Sequence, residues 1–149
     1  MREKFRLLER IEAFTNDVHR IIDDYHAPKP TTSAILDQLA RSSLSCALNY
    51  SEAISAESRK DFIHKLRIVL KELRETTTSL RLLRMKKEGG LTLPLGPCIA
   101  ECNELIAIIY SSIRTTESNS KESQTKKWKM KNEEFHWALS IQHWALVSF

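Results

Sequence analysis

Cys98 and Cys102 stand one helical turn apart, a spacing that lets two thiolates reach one metal ion from the same face of a helix. No further Cys or His pair at matching spacing completes a ligand set, so both are expected to be core residues and no metal is expected. Asn49, Glu52 and Glu57 bring two carboxylates into one short stretch. Paired carboxylates are a minimum for general acid–base chemistry, yet no partner His or metal motif lies near them in sequence. Capping and hydrogen bonding at a helix junction is therefore the role assigned to them. His19, His26 and His64 stand alone, and the HExxH, GxSxG, P-loop and GxGxxG patterns are missing. The expectation is a protein that is not an enzyme, carries no cofactor and works through what it binds.

The residues best placed to bind are basic. Lys60, Arg67, Lys71, Arg74 and Arg81 fall in one band of a helix, because separations of three, four and seven keep residues on one face. Such a band can track the phosphates of RNA or DNA, each contact releasing counterions and making affinity salt-sensitive. The plain alternative is a solvated face partly paired with Glu72 and Glu75. Beside it Ile63, Leu70 and Thr77 form a heptad-spaced line, which reads as an oligomer seam or as the edge of a wide core stripe.

These residues need helices to position them. Three Gly and four Pro in 149 residues, with stretches rich in Leu, Glu, Lys, Arg, Ser and Ala, favour one all-α domain. Leu7, Ile11, Phe14, Val18, Ile21 and Tyr25 alternate at spacings of four and three, predicting a first helix over residues 4–25 that the Pro28 and Pro30 region stops. Thr31, Thr32 or Ser33 is the expected cap of a second helix, with Leu36, Leu39, Ser43, Cys46 or Ala47, Tyr50 and Ile54 inward. Ser58 and Asp61 resemble a capping box that opens a third, along which Phe62, Leu66, Val69, Leu73, Thr76, Leu80 and Leu83 keep the rhythm. Gly89-Gly90 ends it, and Pro97 falls in the first turn of a fourth that uses Cys98, Cys102, Leu105, Ile106, Ile109 and Ile113. Four such helices pack most simply as an antiparallel up-down-up-down bundle over residues 1–117.

Beyond it, residues 118–149 read as a polar linker and a tail holding all three Trp residues, with His-Trp-Ala-Leu at 136–139 and again at 143–146. This extension is expected to be disordered or to dock as a short helix. The net charge of +4 is shared equally between body and tail and is ordinary for a soluble domain. The N-terminus lacks the apolar run of a signal peptide, no stretch has the length of a membrane span, and the odd cysteine count fits reduced thiols. A cytoplasmic protein is expected, with a membrane an unlikely partner.

Residues 39–53, from Leu39-Ala40-Arg41 through Cys46-Ala47 and Asn49-Tyr50-Ser51-Glu52, and residues 57–83, from Glu57-Ser58-Arg59 to Leu82-Leu83, carry a family pattern. The chain resembles the four-helix bundle proteins encoded in 23S rRNA intervening sequences, over roughly residues 5–116. That resemblance implies an antiparallel bundle assembled into a ring-like homopentamer. It also implies kinship with the accessory protein of diversity-generating retroelements, which binds a reverse transcriptase and nucleic acid. Arg41, Ser45, Asn49 and Glu52 correspond to the family's Arg, Ser and Asn-x-x-Glu positions. Many members have Gly or Pro near the places of Cys46 and Ala47, a departure that favours a straighter second helix here. The expectation is thus a non-enzymatic homo-oligomeric scaffold that binds structured RNA or DNA through basic helix faces. The competing expectation is an adaptor for a nucleic-acid enzyme such as a reverse transcriptase, without direct nucleic-acid binding.

Overall fold

Each predicted apolar stripe becomes the buried face of a helix in the computed structural model. The structure describes residues 2–25, 29–86 and 95–147, and the side chains of 4–25, 29–86, 95–119, 125, 126 and 130. The four helices are α1 (Arg2–Asp23), α2 (Pro30–Ile54), α3 (Arg59–Lys86) and α4 (Leu95–Val147). Two compact units divide the chain, Met1–Ile113 and Arg114–Phe149.

In the first unit, Ile11, Val18, Leu39, Leu66, Leu73, Leu80, Leu105 and Ile109 are fully buried, drawn from all four helices. Burying each such side chain contributes about 1.5–3 kcal/mol, which makes this stripe-against-stripe contact the main stabilising term. A layer of small polar groups crosses the same core. The Thr15 hydroxyl of α1 is shared between the carbonyls of Ile11 at 2.9 Å and Ser43 of α2 at 3.1 Å. The Thr76 hydroxyl of α3 donates to Ser42 Oγ of α2 at 2.8 Å, and the Thr77 hydroxyl lies 3.0 Å from Cys102 Sγ of α4. Because Thr76 and Thr77 also reach the carbonyls one turn back on their own helix, the layer is satisfied locally as well as across helices. Arg10 closes the ring from α1 to α4 with two hydrogen bonds to Glu101 at 2.6 and 2.8 Å and one to Glu104 at 2.5 Å. Consecutive helices are therefore neighbours and the last returns to the first, the up-down-up-down order expected.

The helix ends differ in detail from the sequence reading. Pro30 is itself the first residue of α2, and the Lys29 carbonyl accepts from the amides of both Thr32 and Ser33 at 2.9 Å. Thr31, Thr32 and Ser33 are therefore already inside the helix, and none caps it. Proline is suited to that place because its missing amide would have had no partner there. Thr31 instead accepts from Lys86 Nζ at 2.9 Å. At α3 the expected cap is present: Ser58 Oγ accepts the Asp61 amide at 3.1 Å, with Arg84 and Lys86 at the opposite end where the helix dipole favours cations. Ser58→Ala is expected to cost about 1 kcal/mol, lowering the melting temperature by roughly 2–4 °C. Ser58→Asp should keep it, as thermal circular dichroism would report. Pro28, Gly89, Gly90 and Pro94 lie outside the described residues.

α2 runs without a break through Cys46 and Ala47. α4 holds Pro97 in its first turn and stays helical past Thr116, through the polar stretch that composition marks as a linker. That stretch has no Gly or Pro, and its Lys, Glu, Gln and Ser residues tolerate helix when solvated. Loss of apolar rhythm there does not mark the end of the helix. In the second unit the backbone is helical to Val147, and Met130 is exposed. The side chains of the three Trp and of both His-Trp-Ala-Leu repeats lie outside the described residues.

Candidate nucleic-acid interface

Lys60, Arg67, Lys71, Arg74 and Arg81 are all exposed on α3, away from Leu66, Val69, Leu73, Leu80 and Leu83. Three of them gather: Arg67, Lys71 and Arg74 line a groove of about 730 Å³ that Gln38 of α2 also borders. Lys60 and Arg81 lie on the same helix outside that groove. Leu70 and Leu82 give it apolar surface, and Glu75 is the carboxylate among its lining residues. Glu75 is held from two sides, accepting from Gln38 Nε2 at 2.7 Å and pairing with Lys71 Nζ at 3.5 Å. Burial, then the nearby charge of Glu75, raises the pKa of neighbouring Glu72. The lining thus holds three cations and one tethered carboxylate.

The expected oligomer seam is not a free surface. Thr77 is 4 % exposed and bonded toward Cys102, and Leu70 is 9 % exposed, its small remaining surface lining the groove. Ile63 is half-buried against the same core. The wide core stripe is the reading the burial supports: Cys102 of α4 meets this line at Thr77, while Leu70 belongs to the core and Ile63 packs against it.

Asn49 Nδ2 donates to the Ser45 carbonyl at 2.9 Å and to Ser45 Oγ at 3.1 Å, and Lys65 Nζ of α3 pairs with Glu52. That bond raises the Lys65 pKa. Glu52 is thus a tie between α2 and α3, while Glu57 is exposed in the turn between them. Cys46, Cys98 and Cys102 are buried free thiols. Burial pushes Cys98 up to about 12 and Cys102 up to about 11, and drives Cys46 further in the same direction. Neutral thiols are poor metal ligands and poor nucleophiles. Among the described residues no cluster of three or more His, Cys, Asp or Glu is arranged to hold a metal ion.

Sequence reasoning missed the Arg10 clamp, since partners 91 and 94 positions away leave no local signal. Its two carboxylates hold the guanidinium pKa above its ordinary value. A second groove, of about 480 Å³, borders this clamp between α1 and α4. There the charges cancel pairwise, Arg10 with Glu101 and Arg20 with Asp17 at 3.7 Å. The lining of the α3 groove, by contrast, has three cations to one carboxylate.

The family described as 23S rRNA-intervening sequence protein matches residues 3–111, nearly the whole of the first compact unit. The chain belongs to this family. A solved structure from Bacteroides thetaiotaomicron, a protein of unknown function from the S23 ribosomal protein family, is similar to it. The two share 26% identity with a TM-score of 0.63, over 72% of this chain and 97% of that one. A comparison with curated proteins finds no match. In this 23S rRNA-intervening sequence protein, the positions that carry the family resemblance on α2 are joined by bonds. Arg41 donates to Gln38 Oε1 at 3.1 Å beside the groove, Asn49 holds Ser45, and Glu52 holds Lys65. The C-terminal unit falls outside the match. Among the described residues no helix is long and apolar enough to cross a membrane.

Proposed function

We propose that this protein is a non-enzymatic, homo-oligomeric helical-bundle scaffold of the cytoplasm that binds structured RNA or DNA through the basic face of α3. The observation that carries the reading is the convergence of Arg67, Lys71 and Arg74 on one groove whose lining includes a single carboxylate, Glu75. Such a surface draws most of its affinity from phosphate contacts, so a single copy binds weakly and repetition around an assembly supplies affinity. The family resemblance supports a ring-like homopentamer. A second observation favours self-association: Leu44 and Leu48, one turn apart on the outer face of α2, are 46 % and 56 % exposed. Apolar pairs left on a helix exterior mark contact surfaces when they are contiguous.

Light scattering coupled to size-exclusion chromatography of the full chain, with and without a pool of structured RNA, tests this. The expected result is a particle of several protomers that gains RNA mass at low salt. Three phosphate contacts per protomer correspond to a slope of log affinity against log salt of about −2 to −3, multiplied where several protomers engage one RNA. A monomer that ignores RNA at every salt would discard both halves of the proposal. An oligomer that binds a reverse transcriptase but no bare nucleic acid would replace it with the adaptor role.

A further inference from the structure

The lining of the α3 groove contains more than phosphate anchors. Leu82 is 43 % exposed at its edge, Leu70 contributes apolar surface, and the lining adds the Gln38 amide and the exposed Thr78 hydroxyl, which donates to the Arg74 carbonyl at 2.9 Å and leaves its oxygen as an acceptor. The groove, of about 730 Å³, is open to solvent, which suits an extended ligand better than an enclosed one. A duplex meeting a convex helix presents its phosphates and keeps the faces of its bases stacked away, so it would leave this apolar surface unused. An unpaired segment has both kinds of surface to offer. Its phosphates suit Lys71, its base faces suit Leu82 and the guanidinium planes of Arg67 and Arg74, and its base edges suit the Gln38 amide and the Thr78 oxygen.

The placement of Glu75 points the same way. A carboxylate in the lining repels a phosphate that approaches it, yet accepts from the exocyclic amino group of an unpaired cytosine or adenine. Glu75 is kept in place by Gln38 and Lys71, and a carboxylate has about four acceptor sites, so capacity remains for such a donor. The arrangement suits bases turned toward the groove and phosphates toward its basic rim. From Arg67 to Leu82 the helix rises about 22 Å, room for roughly six nucleotides stacked at about 3.4 Å each.

We infer that the α3 groove binds an unpaired nucleic-acid segment, a loop or single-stranded end, in preference to a duplex. This rests on the nucleic-acid reading above and specifies the ligand of that same site. The experiment is fluorescence anisotropy on the full-length protein at one fixed low salt concentration. Its probes are a single strand of about 12 nucleotides without self-complementarity and the perfect duplex of the same sequence.

The single strand is expected to bind at least about tenfold more tightly. Leu82→Ser should erase most of that advantage, and Leu82→Tyr should enlarge it by supplying a stacking ring. Leu82 is partly exposed, so both variants should keep the parent's helicity, which circular dichroism checks. Equal or tighter binding of the duplex overturns this inference and leaves the nucleic-acid reading standing. Binding of neither probe overturns both. A single-strand preference unmoved by either Leu82 variant removes the groove as its source.

Discussion

Replacing Arg67, Lys71 and Arg74 together by Glu is expected to weaken RNA binding by on the order of 100-fold or more at low salt, and to abolish its salt dependence. The three side chains share one groove, so reversal converts a field of three cations and one carboxylate into four carboxylates. All three are exposed and lie away from the buried stripe of α3, so helicity and melting temperature should stay close to those of the parent. Lys60→Glu and Arg81→Glu, outside the groove, should each have a smaller effect, since a lone phosphate contact changes the slope by about one. Filter binding across a salt series separates these outcomes. A triple variant that binds RNA as the parent does would remove α3 as the interface.

Substituting Leu44 and Leu48 together by Asp is expected to convert the proposed oligomer into a folded monomer of 17.2 kDa. Each Leu buried at a contact contributes about 1.5–3 kcal/mol, and carboxylates without partners at the same place add a desolvation cost. Self-association of the variant should be weaker than the parent's by more than about 100-fold. Both positions are about half exposed in the protomer, so the fold itself should persist. RNA affinity should fall in parallel although no groove residue has changed, because linked copies raise the effective concentration of each further contact. Light scattering reads the mass directly. An unchanged mass would place the contact on another face. Leu70→Ala and Thr77→Ala should behave differently, acting on stability instead of assembly, because both side chains are inside the protomer.

The helices and their inward faces were legible because burial in a bundle imposes a four-three rhythm on local sequence. Ile11, Phe14, Val18 and Ile21 of α1, and Leu66, Val69, Leu73, Thr76, Leu80 and Leu83 of α3, occupy the core positions which that rhythm assigns. The Ser58 cap was legible for a similar reason, since capping joins residues three apart. The basic band was likewise readable as a face, although its use was not.

What only the tertiary structure decided depends on neighbours far away in the chain. Whether Leu70 and Thr77 form an edge of the core or an outer seam turns on how far α4 covers α3, which spacing within α3 cannot reveal. The Arg10 clamp joins residues 91 and 94 positions apart, and the groove takes Gln38 from a different helix than its cations. The start of α2 at Pro30 and the continuation of α4 past its apolar rhythm are backbone outcomes that side-chain periodicity does not encode. Local sequence by itself determined which face of each helix turns inward, because water enforces that helix by helix. The packing of the helices against one another determined which of the remaining side chains meet, and therefore where a ligand can bind.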